Sequence, residues 1–486
     1  MKHLSSRRHF LKTAGSAAAL TGSIGFPAFV RGQNLNSKLQ IASVGVGGKG
    51  SSDNQNAAED NVVVGICDVD ARTLEEAKKR KAKWGGQEIE FNKDAETFSD
   101  FRDMLSKLGS KIDAVTVSTP DHTHYPAAMA AIKLGKHVMV QKPLVNTLWE
   151  ADELRKAAKK KGVTTVMGNQ GHTGEGIRVL KEWIQQGAVG KVKEVHVWTN
   201  RPIWPQGVRK YKPATVPATL NWEAWQSSVP DRPYVEGLAP FAWRGHLDYG
   251  AGAMGDMGCH IMDGPFWACD LGTPSKMQSA VSELTEESWP KGSHVVLEFP
   301  EKEVQLHWYE GKFLNSTVLP ERAIAEMMAA GETMLWGKGK EGDVWVPVDR
   351  KYFTSSAGWG GFMIVGEKGT ILNFGDYCDK PFIVGEKRHK DWLATNPQKT
   401  LERSLAPGNP QLEWTRAIKQ GKQPGSNFDY AVPLTEICLF GNLAIRANGE
   451  AIEWDKEKRE IKGHPEMTRF IKRTYRAGWE ISAAQV

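Results

Sequence analysis

The sequence predicts an α/β chain built on a doubly wound parallel sheet, and three observations carry that expectation. A short apolar run at 39–44 (LQIASV) feeds directly into Gly45-Val46-Gly47-Gly48-Lys49-Gly50. A second apolar run at 61–67 (NVVVGIC) ends on Asp68, 18 residues beyond Gly50. Further strand-like and helix-like segments then alternate as far as Met167. Successive β-α units of this kind make a parallel sheet, with ligand-binding groups at the C-terminal strand ends.

The elements follow in order. The polar stretch between the first two strands has the length of a crossover helix, giving the unit strand, glycine loop, helix, strand, acid. Gly45 suits the tight turn, Gly47 lets a backbone approach a phosphate, and Gly50 permits close helix–strand packing. The helix that starts there presents unpaired N–H groups to a pyrophosphate. Asp68 is placed to bond the adenosine ribose hydroxyls and to repel a 2′-phosphate, which favours NAD over NADP; Arg72 works against that preference. Residues 112–118 (IDAVTVS) form the next strand, ending in the loop Thr119-Pro120-Asp121-His122-Thr123-His124. An alanine-rich helix runs to Leu134, closed by Gly135. The strand 137–140 (HVMV) delivers Gln141-Lys142-Pro143, and a helix over 150–161 precedes a strand over 163–167. Past residue 180, alternation at 192–198, 293–299, 303–308 and 343–348 marks strands of a second domain.

A chain of 486 residues exceeds one compact core. The expected division is a leader over 1–32, a nucleotide-binding domain over 38–168, a substrate and oligomerisation domain over 169–460 and a tail over 461–486. The leader reading rests on Ser6-Arg7-Arg8-His9-Phe10-Leu11-Lys12 ahead of a small-residue apolar stretch from Ala14 to Val30, the layout of a twin-arginine export signal. Gly22, Gly25 and Pro27 break that stretch, so stable membrane insertion is not expected, and no clean cleavage site precedes Arg31. The expected location is periplasmic or secreted. The net charge of +6 is small and the basic residues fall in short separate groups, which points away from nucleic acid. The five cysteines form no C-x-x-C pair, so neither a disulfide framework nor a zinc site is signalled, and no other metal is expected. Eighteen tryptophans suit either sugar rings or core packing and subunit contact.

The ordered set TPDHTH (119–124), AIKLGKHVMVQKPL (131–144) and DMGCHIMD (256–263), behind the glycine loop, resembles the Gfo/Idh/MocA oxidoreductases. Residues 408–455 are similar to the C-terminal part of exported bacterial members. The resemblance implies a Rossmann domain followed by an α/β domain whose large, mostly antiparallel open sheet forms the substrate pocket and the interface of a homo-oligomer, dimer or tetramer. It implies Lys142, Asp256 and His260 as catalytic residues. Gln141 departs from the family's usual glutamate and removes a negative charge beside Lys142.

Oxidation of a secondary alcohol needs a base for the hydroxyl proton, and His260 is the better one by intrinsic pKa. Asp256, four residues earlier on the same helix face, either orients the imidazole or binds a sugar hydroxyl. Lys142 polarises the oxygen, and Asp263 braces the site. The expected cofactor contacts are Gly45, Gly47, Gly48, Gly50, Asp68, Thr119, Pro120, His124, Gln141, Lys142 and Asn169. His124 touches the nicotinamide ribose or anchors its loop; Gln170 and His172 are substrate candidates. The expectation is a sugar, glycoside or cyclic-polyol oxidoreductase that keeps its NAD between turnovers. Two alternatives stay open: glycoside cleavage by transient oxidation and elimination, and a non-catalytic sugar-binding or sensory protein.

Overall fold

The computed structural model describes residues 38–209, 211–311, 325–326, 334–339, 342–347 and 360–486. The twin-arginine segment lies outside them. The first sheet contains β1 (Gln40–Val44), β2 (Val62–Cys67), β5 (Glu96–Phe98), β6 (Ala114–Val117), β7 (His137–Val140) and β8 (Thr165–Met167), with a small hairpin of β3 (Ala82–Trp84) and β4 (Gln87–Ile89) beside it. Its order is β5-β2-β1-β6-β7-β8 and every pairing is parallel. Strand order reverses between β1 and β6, so a crevice opens where the glycine loop leaves β1 and Ser118 leaves β6.

Two helix starts differ from the sequence expectation. The TPDHTH stretch is not loop throughout: helix Asp121–Lys133 begins inside it, behind Pro120 and with an acidic residue in its first turn. Helix Leu148–Lys161 starts two residues earlier than expected because Thr147 and Glu150 close a reciprocal capping box.

The second sheet contains β9 (Val192–Thr199), β10 (Lys276–Val281), β11 (Ser293–Phe299), β12 (Val304–Glu310), β15 (Gly360–Gly366), β16 (Gly369–Phe374), β17 (Phe382–Ile383), β18 (Ile452–Asp455) and β19 (Glu460–Ile461). Its order is β17-β16-β15-β9-β12-β11-β10-β18-β19, antiparallel except between β9 and β12. The strand expected at 343–348 is β14 (Gly342–Pro347), which pairs with β13 (Met334–Gly339) in a separate hairpin rather than joining the sheet. Helix Phe428–Arg446 is long and apolar enough to cross a membrane, yet 78% of its apolar window is buried, and it packs against β10, β11 and helix Gly252–Ile261.

The chain then returns to the first domain. Trp414 on helix Pro410–Gln420 is fully buried with Ile41, Ala114, Met139 and Val166. Residues 461–486, set apart as a tail by sequence, are pinned there by Arg473 to Glu150 (2.7 Å) and by the Tyr125 hydroxyl donating to the Ile481 carbonyl.

Candidate active site

A cavity of about 690 Å³ runs along the crevice, lined by the glycine loop, Asp68, the Ser118–Pro120 segment and Gln141-Lys142. Its shape at the loop depends on missing side chains. A Cβ on Gly45 would stand 2.5 Å from the Ser118 carbonyl oxygen, and one on Gly50 would stand 2.2 Å from that of Gly45. Gly48, by contrast, faces open space, at the N-terminus of helix Gly48–Ala58, whose first turn holds no acidic residue. That combination suits an anion.

Asp68 accepts from the backbone N–H groups of Val46 (3.0 Å) and Asp70 (3.1 Å), and burial raises its pKa despite them. The cap of the helix from Ala71 is Asp70 rather than Asp68. Arg72 lines the cavity and pairs at 2.7 Å with Asp70 on an exposed face, so the group that repels a 2′-phosphate is the Asp68 carboxylate itself. The described residues therefore fit a dinucleotide without a 2′-phosphate.

At the other end, Lys142 Nζ meets Asp256 Oδ1 at 2.5 Å, and Arg244 Nε approaches the same oxygen at 3.4 Å. Arg244 is itself held by Asp121 at 3.0 Å. Burial opposes ionisation of Asp256, but Lys142 and Arg244 outweigh it and hold the carboxyl well below the usual carboxylate range. Asp376, in the turn after β16, feels Arg201, Asp256 and Lys142; burial pushes its pKa up. Its Oδ1 is buried without a hydrogen-bond partner.

His260 lies one helical turn beyond Asp256 and is 5% exposed, with the Tyr377 ring packed edge-on at 5.0 Å. Burial first, then the Lys142 ammonium, drives its pKa well below the ordinary histidine value, so the ring is neutral near neutral pH. The tautomer follows from its neighbours. Asn169 Nδ2 donates to the Cys259 carbonyl (2.8 Å) and to Asp263 Oδ2 (2.9 Å), which turns Asn169 Oδ1 to His260 Nδ1 at 2.8 Å. An amide oxygen only accepts, so Nδ1 carries the proton and Nε2 is left with its lone pair. Asp263 also accepts from His172 Nδ1 (3.0 Å) and from the Tyr430 hydroxyl.

Several expected contacts fall elsewhere. Asn169, expected at the cofactor, has its polar atoms taken by Cys259, Asp263 and His260, and orients the imidazole; Asp256, a candidate for that task, is bound to Lys142 instead. His124, expected at the ribose, is buried with both ring nitrogens on backbone carbonyls, those of Pro143 (2.8 Å) and Thr119 (3.0 Å), so it anchors the loop. His172 is buried on Asp263 rather than open to a substrate. Among the tryptophans, Trp198 and Trp308 are core, whereas Trp225 and Trp243 line the cavity. Sequence reasoning missed Lys49, Asp53, Arg244, Asp376 and Tyr377. Only Lys49 carried a signal, its place inside the glycine loop.

Two family models match. One, described as an oxidoreductase-family NAD-binding Rossmann fold, covers residues 39–169, and its companion, the family's C-terminal alpha/beta domain, covers 174–281. The chain belongs to the Gfo/Idh/MocA oxidoreductase family. Within it, a levoglucosan dehydrogenase of Pseudarthrobacter phenanthrenivorans is 26% identical over 166 residues, 34% of either chain. A glycosyl hydrolase family 109 protein of Shewanella pealeana is 26% identical over 213 residues, 38% of this chain and 44% of its own. The chain thus spans a third to under half of these two curated relatives' lengths. The WlbA dehydrogenase of Bordetella pertussis, solved with NADH and UDP-GlcNAcA, shares the fold at a TM-score of 0.54, 16% identity and coverage of 86% of this chain and 99% of that one.

Proposed function

We propose that this family member oxidises a ring hydroxyl of a sugar, glycoside or cyclic polyol, using a held NAD. The observation that carries the reading is His260 fixed with Nε2 unprotonated on the same helix as Asp256, whose partner Lys142 lines the dinucleotide cavity. NAD, when bound, takes the hydride of the alcohol carbon. The residues supply the rest. His260 Nε2 accepts the hydroxyl proton as the carbonyl forms. Lys142, fixed by Asp256, donates a hydrogen bond to the oxygen on which negative charge develops. Asp376 Oδ1, buried and unpartnered, accepts from a neighbouring ring hydroxyl. Asp68 favours NAD over NADP.

The relative named as a glycosyl hydrolase supports a second reading on the same site: oxidation acidifies the adjacent C–H, elimination expels the aglycone, water adds to the enone left behind, and the hydride returns to the carbonyl. The twin-arginine segment supports export, where free nicotinamide cofactor is scarce, and so retention of NAD between turnovers.

The experiment incubates purified protein with a panel of sugars, polyols and glycosides while following absorbance of bound NADH. Reduction with a polyhydroxylated ring substrate is expected. Sugar release with solvent deuterium in the ring and no net NADH identifies the elimination route. Sugar binding with neither outcome overturns catalysis in favour of a binding protein. Loss of stoichiometric nucleotide on gel filtration overturns retention.

A further inference from the structure

Asp53 lies inside helix Gly48–Ala58 and is 0% exposed. Four donors meet its two oxygens. Oδ1 accepts from Lys49 Nζ (2.5 Å) and Gln411 Nε2 (2.7 Å), and Oδ2 from Ser118 Oγ (2.8 Å) and Gln141 Nε2 (2.7 Å). That is the number a deprotonated carboxylate accommodates. Three of the four, Lys49, Ser118 and Gln141, are cavity wall; Lys49 lies one turn earlier on the helix of Asp53, while Ser118 and Gln141 follow the ends of β6 and β7. With Nε2 fixed, Gln141 turns Oε1 to the backbone N–H of Lys142 at 3.2 Å. Gln141 carries no charge; the charge it touches belongs to Asp53.

We propose that Asp53 is a positioning residue of the cofactor site: its buried carboxylate holds the Lys49 ammonium and the Gln141 amide, and through Gln141 the Lys142 backbone, in the geometry that receives the nicotinamide half of a dinucleotide. This rests on reading the cavity as a dinucleotide site. A role confined to stabilising the fold would need any four donors. Here three of the donors line the cavity, and one carboxylate ties the first turn of the helix behind the glycine loop to the ends of β6 and β7. Exchanging the carboxylate and the amide preserves the hydrogen bond between positions 53 and 141 but moves the charge off Lys49, so the exchange separates the two contacts.

The test compares full-length wild type with Asp53→Asn, Gln141→Glu and the double variant, each freed of any nucleotide carried through purification, reading the NAD dissociation constant by calorimetry and the thermal midpoint separately. Asp53→Asn removes the charge that pairs with Lys49, and Gln141→Glu sets two carboxylates against each other. Each single change is expected to weaken NAD about tenfold, and the double variant, which regains the contact between positions 53 and 141 but not the Lys49 ion pair, to lose about tenfold rather than the roughly hundredfold of independent changes. Singles that bind as wild type does, or a double variant that loses the product of the two, overturn the inference. If a single variant fails to fold, the double variant decides alone: a loss of about tenfold supports the inference and one of about a hundredfold overturns it. Wild type that binds no NAD overturns the dinucleotide reading and this inference together; wild type that binds, with multiplicative losses in the double variant, overturns this inference only.

Discussion

At the glycine-loop end of the cavity, the groups that face an anion are backbone N–H groups, and what shapes them is the absence of Cβ atoms at Gly45 and Gly50. At the reacting end the functional atoms are side chains, each held by another side chain from far along the sequence. Lys142 is set by Asp256, Arg244 by Asp121 and His260 by Asn169. The first end is specified locally and fails through steric intrusion. The second is specified by tertiary pairing and fails through loss of a partner, which predicts opposite responses to substitution.

The largest effect belongs to the reacting end. His260→Ala is expected to lower kcat by about 10²- to 10⁴-fold, the usual worth of a positioned base, with the NAD dissociation constant little changed. Asn169→Ala frees the imidazole to take the other tautomer and is expected to lower kcat by about tenfold or more through His260 alone. The double variant is therefore no slower than His260→Ala; additive losses would place Asn169 in a separate task. The pH profile adds a signature. Because the folded-state pKa of His260 lies well below 6.5, the base stays neutral through pH 7, and kcat falls only on the acid side, with an apparent pKa below 6.5. An acid limb centred above 6.5 breaks the assignment.

The opposite response is expected at the loop. A Cβ on Gly50 lies 2.2 Å from the Gly45 carbonyl oxygen, so Gly50→Ala must push helix Gly48–Ala58 off β1. Overpacking of this kind costs about 1–3 kcal/mol, and NAD affinity is expected to fall about tenfold or more with the pH profile of kcat unchanged. Gly48→Ala separates the two causes, since its Cβ meets nothing within 4 Å while the left-handed φ of +47° costs an L-residue about 1–2 kcal/mol. Equal losses at both positions would show that backbone conformation, not the close approach, matters.

The same contrast sets what was legible in the sequence. The glycine loop, Asp68, and the alternation of β1, β2, β6, β7 and β8 are local patterns, and the observed elements fall within a residue or two of them. Lys142, Asp256 and His260 were legible only as an ordered set of motifs. Their partners were not: Arg244 and Asp121 are 123 residues apart, His260 and Asn169 are 91 apart, and nothing in either neighbourhood encodes the meeting. The return of helix Pro410–Gln420, which places Gln411 on Asp53 from 358 residues away, was hidden for the same reason. An amphipathic face announces that it will be covered, but not by what.

The wall between the two ends offers the smallest and most specific test. His122, on the first turn of helix Asp121–Lys133, is fully buried, with Nε2 against the Trp225 carbonyl at 2.7 Å and its ring 5.0 Å from the Trp225 indole. Burial lowers its pKa to about 3, with Arg473 adding repulsion to the hydrogen bonds that partly offset it. The unfolded chain binds a proton here below about pH 6.5, while the folded chain stays unprotonated until about pH 3, so stability drops as pH falls through that window. Between pH 7 and pH 5 the contribution is about 2 kcal/mol for a full shift of this size. Other buried histidines, among them His246 at about 4, add to the same slope, so the measurement is a difference. His122→Gln, which keeps a donor for the Trp225 carbonyl, is expected to flatten the pH dependence of the unfolding free energy by about that amount and to leave the acid limb of kcat, set by His260, where it was. A kcat profile that moves with His122→Gln would mean that the wall and the reacting end titrate together, and the division into separately specified ends would fail.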